Sequence, residues 1–577
     1  MKRIAFSLTL VLLLALLATG CGSADPPAGD AGATDAGGAD AARSDSGVPD
    51  DSGSDASATD SGGGETDAGT GDGGTADASG GTDAGSADAG TDAGPATLGS
   101  FALSYLGGAG SHVVDDQARD IAVDAAGNLY IAGGLYNYGG TFFTGAANRR
   151  TISGTTRAGE DIFVVKVTPD GALVYATLMG GPGYDRPYGI EVDAAGNATI
   201  AGRGGNGFPT TTGVVQPTFA GDDNVNPAYG SQDGLVARLA ADGSLTWATY
   251  LGDGGPAFIR DVAIDAAGNA YVGVTLVDAS FAYATAGSFA PVGASGAHAA
   301  LVKLNATGTG VVWAGHLGGP SLTSRSGDRP TVRFAAGDVF VAYTTLDTAE
   351  PVTATAFQRT HAGMVDVVVA RIRGDGTGVV YLTYFGGAGT EGVETHQMEV
   401  DALGRAHLAV QSNSARADAI VPVGARQRTN AGLDDVLVAR LSADGSRVEA
   451  ATFVGGAADD NGEGIAIDPR NGNIVFTGLT HSSDFPTTAT MLSTGAFGDA
   501  IIVVLDAALD ATSLIYSTRV GGAGNDDQLR SVVVDATGAL AAAGNTNSMT
   551  LPTMNAVQMT YGGGPHDAWW IRLPSYP

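Results

Sequence analysis

Self-similarity constrains this chain more than any other property it has. Between residues 100 and 573 three landmarks recur in fixed order, with a period of 66 to 73 residues. The first is a strand ending in a glycine pair: Tyr105-Leu106-Gly107-Gly108, Leu178-Met179-Gly180-Gly181, His316-Leu317-Gly318-Gly319, Tyr384-Phe385-Gly386-Gly387, Phe453-Val454-Gly455-Gly456 and Arg519-Val520-Gly521-Gly522, with Tyr250-Leu251-Gly252-Asp253 in the remaining slot. The second is a hairpin signature. Ile121-Ala122-Val123-Asp124 runs through Ala125-Ala126-Gly127-Asn128 into Leu129-Tyr130-Ile131, and copies start near Ile190, Val262, Val332, Met398, Ile465 and Val532. Alternating apolar residues on both sides read as strands. The glycine supplies positive φ in the turn, and the aspartate bonds the turn backbone. The third landmark is a β-rich run from Asp161, Asp233, His298, Asp366, Asp435, Asp499 and Asp567.

Each unit therefore carries four strands: a and b in the hairpin, c from the third landmark, d before the glycine pair. An aromatic residue recurs on d, at Tyr175, Trp247, Trp313, Tyr381 and Tyr516; such regular spacing reads as core between units. The phase of the repeat then decides the architecture. The last unit stops after strand c, and the domain opens with an orphan d strand at Phe101 to Leu106. A ring explains this shift, because the N-terminal strand completes the last sheet and hides its edge. The expected fold is all-β: a seven-bladed β-propeller over residues 99–577, closed by its N-terminal strand. Unit four departs most, with Phe334 before its turn and Asp338 in the Asn position.

These units resemble the bacterial β-propeller repeats called SBBP, through Ala-Val-Asp-x-x-Gly-Asn-x-Tyr, Asp-x-x-Val-x-Lys-Leu, Tyr-Leu-Gly-Gly and the segments Phe208-Pro209-Thr210-Thr211 and Phe485-Pro486-Thr487-Thr488. The hairpin is similar, more distantly, to NHL-type propeller repeats. The resemblance implies an extracytoplasmic propeller and brings neither activity nor catalytic residues.

The segment before the ring sets location. Lys2 and Arg3 precede a mostly apolar run from Ile4 to Leu17, too short to span a bilayer comfortably. Ala18-Thr19-Gly20 then leads into Cys21, the sole cysteine. This resembles a lipobox, so residues 1–20 are read as a lipoprotein signal peptide and Cys21 as the acylated mature N-terminus and membrane attachment. Several acyl chains on one residue anchor stably. Residues 21–98 are mainly Ala, Gly, Ser, Thr and Asp, with Asp near every fifth position from Asp25 to Asp60. Such a stretch buries too little apolar surface to fold and is read as a disordered, self-repelling tether. The expected location is extracytoplasmic, at the outer membrane or cell surface.

Formal net charge is −32, which makes nucleic acid a poor partner. In a propeller the b–c and d–a connections share one face. Here the b–c connections run to twenty residues or more, well beyond ordinary loops, so that face is the expected binding face. Carboxylates follow the glycine pairs on it: Asp115, Asp116, Asp185, Glu391, Asp459, Asp460, Asp526 and Asp527. The expectation is that they ring the mouth of the central channel. Clustered oxygens there would suit calcium or a cationic partner, though no dedicated calcium-loop spacing is present and no cofactor is expected; solvated carboxylates capping turns are the plainer reading. The eight histidines share no metal-ligand spacing, no Gly-x-Ser-x-Gly elbow has suitable partners, and Gly-Gly-Ala-Gly at Gly107 and Gly521 is repeat punctuation. The sequence therefore reads as a monomeric, non-catalytic surface module for a protein or polysaccharide. A carbohydrate-active hydrolase or lyase at the channel mouth, using paired acids, and a passive structural envelope lipoprotein are the alternatives.

Overall fold

A computed structural model of the chain describes residues 101–577 apart from 109–114, 137–142, 144–148, 154–158, 222–229, 253–256, 277–282, 284–287, 290–297, 320–325, 416–419, 490–491, 493–497, 575 and 577. The expected leader, Cys21 and the tether lie outside the described residues. Among the described residues every regular element is a strand, and the strands form seven sheets, antiparallel but for one pair in blade one, arranged as a seven-bladed β-propeller. Strand a of successive blades is Gln117–Val123, Arg186–Val192, Ala257–Ile264, Ser326–Ala335, the pair Glu391–Gly392 and Met398–Val400, Asp460–Ile467, and Asp527–Val534. Each of these strands packs against the next, and together they form the wall of the central channel.

Closure is as the phase of the repeat required. Ala102–Tyr105 pairs antiparallel with Asp567–Leu573, Leu103 opposite Ile571 and Tyr105 opposite Trp569, so blade seven takes its fourth strand from the start of the domain. Trp569 and Trp570 are fully buried on opposite faces of that sheet, one in each neighbouring core. The pleat makes this possible, since successive side chains point to opposite faces.

The repeated residues hold the local geometry. Asp124 Oδ1 accepts from the Ala126 and Asn128 amides at 3.0 and 2.9 Å, while Gly127 sits at φ +79°. The same turn is built on Asp193, Asp265, Asp401 and Asp535. In unit four Ala336 and Gly337 both take positive φ instead. The strand-d aromatics are core, and the c–d turn glycine of the next blade lies against four of the five rings: Gly243 on Tyr175, Gly308 on Trp247, Gly376 on Trp313, Gly445 on Tyr381.

Two features were not foreseen. The b–c connections do not all project as free loops. In blade one Arg149–Ser153 pairs parallel with strand d as a fifth strand. In blades two, four and five Gln216, Gln358 and Gln427 run beside strand d, each amide donating 2.9 Å to a strand-d threonine. The Phe-Pro-Thr-Thr segments fold back likewise: Phe208 is buried, its amide donating to the Tyr250 hydroxyl at 2.9 Å. Much of each long connection thus covers an outer edge that would otherwise offer unpaired backbone. Second, the inner strand of blade five is broken. Between Gly392, opposite Gln411, and Met398, opposite Leu408, residues 393–397 leave the ladder and enter the channel.

Candidate functional site

The carboxylates expected to ring the channel mouth occupy different positions. Asp116, Asp185, Glu391, Asp460 and Asp527 are fully buried. In each, one oxygen accepts from the second glycine amide of the preceding blade, at 2.7 Å for Gly108 and Gly181, 2.6 Å for Gly387 and Gly456, and 2.9 Å for Gly522. The other caps the end of strand b in its own blade: Asp116 takes the Tyr136 amide at 2.9 Å, Asp185 the Gly205 amide at 2.8 Å, Glu391 the Ser412 hydroxyl at 2.6 Å, and Asp460 and Asp527 the hydroxyls of Thr480 and Thr546. These groups are staples between blades. Burial raises all five above the usual carboxylate range. Asp459 is half-buried, and its backbone carbonyl accepts from His481.

Asp115 and Asp526 meet across the seam between the first and last blades. His566 donates from Nδ1 to Asp115 at 2.7 Å and from Nε2 to Asp526 at 3.0 Å. Two donating ring nitrogens mean an imidazolium. Burial disfavours that charge, yet the two carboxylates push His566 up to about 10. Burial likewise opposes ionisation of Asp115, but the His566 bond holds it below the usual carboxylate range.

The channel itself is lined by residues not singled out beforehand. A bulge in each unbroken inner strand swings one residue out of register: Arg119, Tyr188, Arg260, Glu463 and Arg530 sit at these shifts, with Arg329 inside the irregular stretch of blade four. A bulge re-aims a side chain, and together with Glu394 and Thr395 of the broken strand these residues enclose a cavity of about 10 Å³, room for one water. Four guanidinium groups surround the Tyr188 ring, those of Arg260, Arg119, Arg203 and Arg186 lying 4.9, 5.5, 5.5 and 6.0 Å from its centroid. Arg329 pairs with Glu394. Arg-Asp at 119–120 and 260–261, just before the hairpin, was the available signal in a chain with few basic residues.

Next along the axis stands His396, 2% exposed and at φ +73°. It reaches from blade five to the Tyr188 carbonyl of blade two, Nε2 to oxygen 2.8 Å. Its Nδ1 faces Asp120 Oδ1 at 3.6 Å and Asp261 Oδ1 at 3.8 Å. Asp120 also accepts from the Ile190 amide at 2.7 Å and the Ser531 hydroxyl at 2.6 Å. Asp261 accepts from Thr331, the Val332 amide and Arg333, each at 2.8 Å. Near the a–b end the inner strands and turns of blades five to seven, with Val123 of blade one, bound a wider cavity of about 550 Å³, with Glu399, Asp468 and Val533 in its wall.

No protein-family model matches the chain, and no curated protein matches it. Among solved structures it is similar to a protein of unknown function from Dyadobacter fermentans, at 13% identity over 82% of this chain and 98% of that one, TM-score 0.37. It is similar to the Dos1 propeller, at 8% identity over 82% and 96%, TM-score 0.34. A puromycin hydrolase aligns at 11% identity over 77% of this chain and 53% of that one, TM-score 0.38. At these scores the likenesses add nothing to the fold, which rests on the seven sheets and their closure.

Proposed function

We propose that this chain is a lipid-anchored, extracytoplasmic binding module, an SBBP-type propeller that takes a protein or polysaccharide on the b–c connections. One observation carries the reading. Among the described residues, six of the ten large apolar side chains left exposed lie on those connections, in blades four, five and seven: Met364, Val423, Leu433, Met549, Met554 and Met559; Val312, Val379 and Val380 lie on d strands and Leu403 in an a–b turn. Exposed apolar anchors on a rigid scaffold mark interaction surfaces, and methionine suits adaptable ones. The buried carboxylates support a non-catalytic role, since five of them are spent on backbone amides rather than poised over a substrate.

The test is a binding panel of envelope polysaccharides and purified envelope proteins presented to the full chain and to a Met364→Asp, Leu433→Asp, Met549→Asp variant. A ligand held by the native protein and weakened at least tenfold in the variant supports the reading. A ligand held equally by both moves the site, with the 550 Å³ cavity at the a–b end the next surface to alter. Turnover of any panel member overturns the non-catalytic assignment. Attachment is read separately: acyl label incorporated by the native chain should be lost in Cys21→Ser, and label retained there would overturn anchoring at Cys21.

A further inference from the structure

We propose that Asp120, Asp261 and His396 form a divalent transition-metal site on the propeller axis, a cation that ties blades one, three and five together. The argument begins with the tautomer. A carbonyl oxygen can only accept, so Nε2 of His396 carries the hydrogen it gives to Tyr188. Nδ1 of the neutral ring is then a bare lone pair. It is buried, has no hydrogen-bond partner among the described residues, and faces two carboxylate oxygens. Three such donor atoms gathered within 4.8 Å repel unless a positive charge lies among them.

Distance separates the two ways of supplying that charge. A proton on Nδ1 would draw a carboxylate into hydrogen-bond range, as at His566, where both nitrogens meet their aspartates at 2.7 and 3.0 Å. At His396 the separations are 3.6 and 3.8 Å, too long for such a bond. Ligand atoms about 2.1 Å from a four-coordinate zinc stand roughly 3.4 Å apart, and the three donor atoms here all lie within 4.8 Å of one another. The donor set also suits the ion: one imidazole nitrogen and two carboxylate oxygens match zinc and its neighbours better than calcium. Both carboxylates are already held by hydrogen bonds, Asp120 by Ser531 on Oδ1 and Ile190 on Oδ2, Asp261 by Thr331, Val332 and Arg333 on Oδ2. Such outer hydrogen bonds fix metal ligands in place. The broken inner strand of blade five is what brings His396 there; a continuous strand a would leave it in the wall.

Zinc is the probe. The full chain is unfolded with chelator, refolded with or without Zn²⁺, and desalted, then its metal content is measured beside that of His396→Ala and Asp261→Asn. Weak capture by the acidic N-terminal segment is common to all three and cancels in the difference. The native chain should retain one equivalent more than either variant and unfold at higher temperature only when refolded with zinc. Equal retention in native chain and variants overturns the site. Should the variants fail to fold, the native chain with Co²⁺ decides: visible bands of a low-coordinate cobalt with nitrogen and oxygen donors support it, and only the weak spectrum of hydrated cobalt refutes it.

Discussion

Two histidines in this ring each lie between two aspartates, and the two sites differ in every dimension that matters. His566 sits at the seam between the first and last blades, with both nitrogens bonded directly to carboxylates. His396 sits on the axis, one nitrogen bonded to a carbonyl and the other held apart from its aspartates. The seam site is closed by its own charges: an imidazolium and two carboxylates in contact, which joins chain ends that would otherwise part. The axial site leaves a gap. One residue triplet thus serves as a lock where its members touch and as a ligand set where they do not, and spacing rather than composition separates the two.

The sharpest way to break the comparison is at the seam. His566→Gln removes the cation that bridges Asp115 and Asp526 and leaves two buried carboxylates facing a neutral amide. Breaking a buried ion pair costs about 3–5 kcal/mol, so urea unfolding should show a loss of that size. A loss below about 1 kcal/mol would mean that the strand exchange alone holds the ring.

The pH profile distinguishes the same two sites. His566 is pushed up to about 10, above the ordinary value near 6.5 of the unfolded chain. A raised folded value means that the native state holds more protons between those limits. The contribution of His566 is complete below about pH 6.5 and is lost as pH rises through 10. Burial acts in the same sense on Asp435 and Asp567, raised to about 6 and about 7, whose contribution is lost as pH climbs from near 4 through those values. These groups make stability fall from pH 4 to 10, opposed below about pH 6.5 by His407, which burial holds under its ordinary value. His566→Gln should flatten the portion above pH 7 and keep the portion below; an unchanged upper portion would show that His566 is not the proton carrier.

His396→Ala should cost less than the seam variant in metal-free protein, about 1–3 kcal/mol, because the main loss is a partner for the buried Tyr188 carbonyl. A cost as large as that of His566→Gln would place a direct ion pair on the axis and erase the difference between the sites.

Legibility in the sequence followed repetition. The sheets, their order and the closing strand all came from features present in seven or nearly seven copies: glycine pairs, turn aspartates and the phase shift at the ends. The repeated carboxylates were equally visible, yet their role was hidden, because the amides they accept from belong to the preceding blade. The axis was hidden for the opposite reason. Arg119, Tyr188, Arg260, Glu463 and Arg530 stand at equivalent positions without sharing one residue type, so only the Arg-Asp pairs at 119–120 and 260–261 mark the position, and the bulge that turns it inward has no side-chain signature. His396 was further masked by the inserted residues of blade five, which shift it out of the hairpin alignment. A ring joins what sequence distance separates, and unique residues at its centre are what repeat analysis averages away.

Tyr188 supplies the smallest and most discriminating measurement. Its ring lies among four guanidinium groups, its carbonyl fixes the His396 tautomer, and its hydroxyl is buried with no hydrogen-bond partner among the described residues. Tyr188→Phe keeps the ring and the carbonyl and removes only the hydroxyl. An unmatched buried hydroxyl contributes nothing to stability, so the change should stay within about 0.5 kcal/mol. Zinc retention should be untouched. Tyr188→Ala removes the aromatic face from buried arginines and should cost several times more. If the phenylalanine variant instead lost more than about 1 kcal/mol, the hydroxyl would be bonded at the channel, and the axis would hold a second polar site on the arginine side of His396.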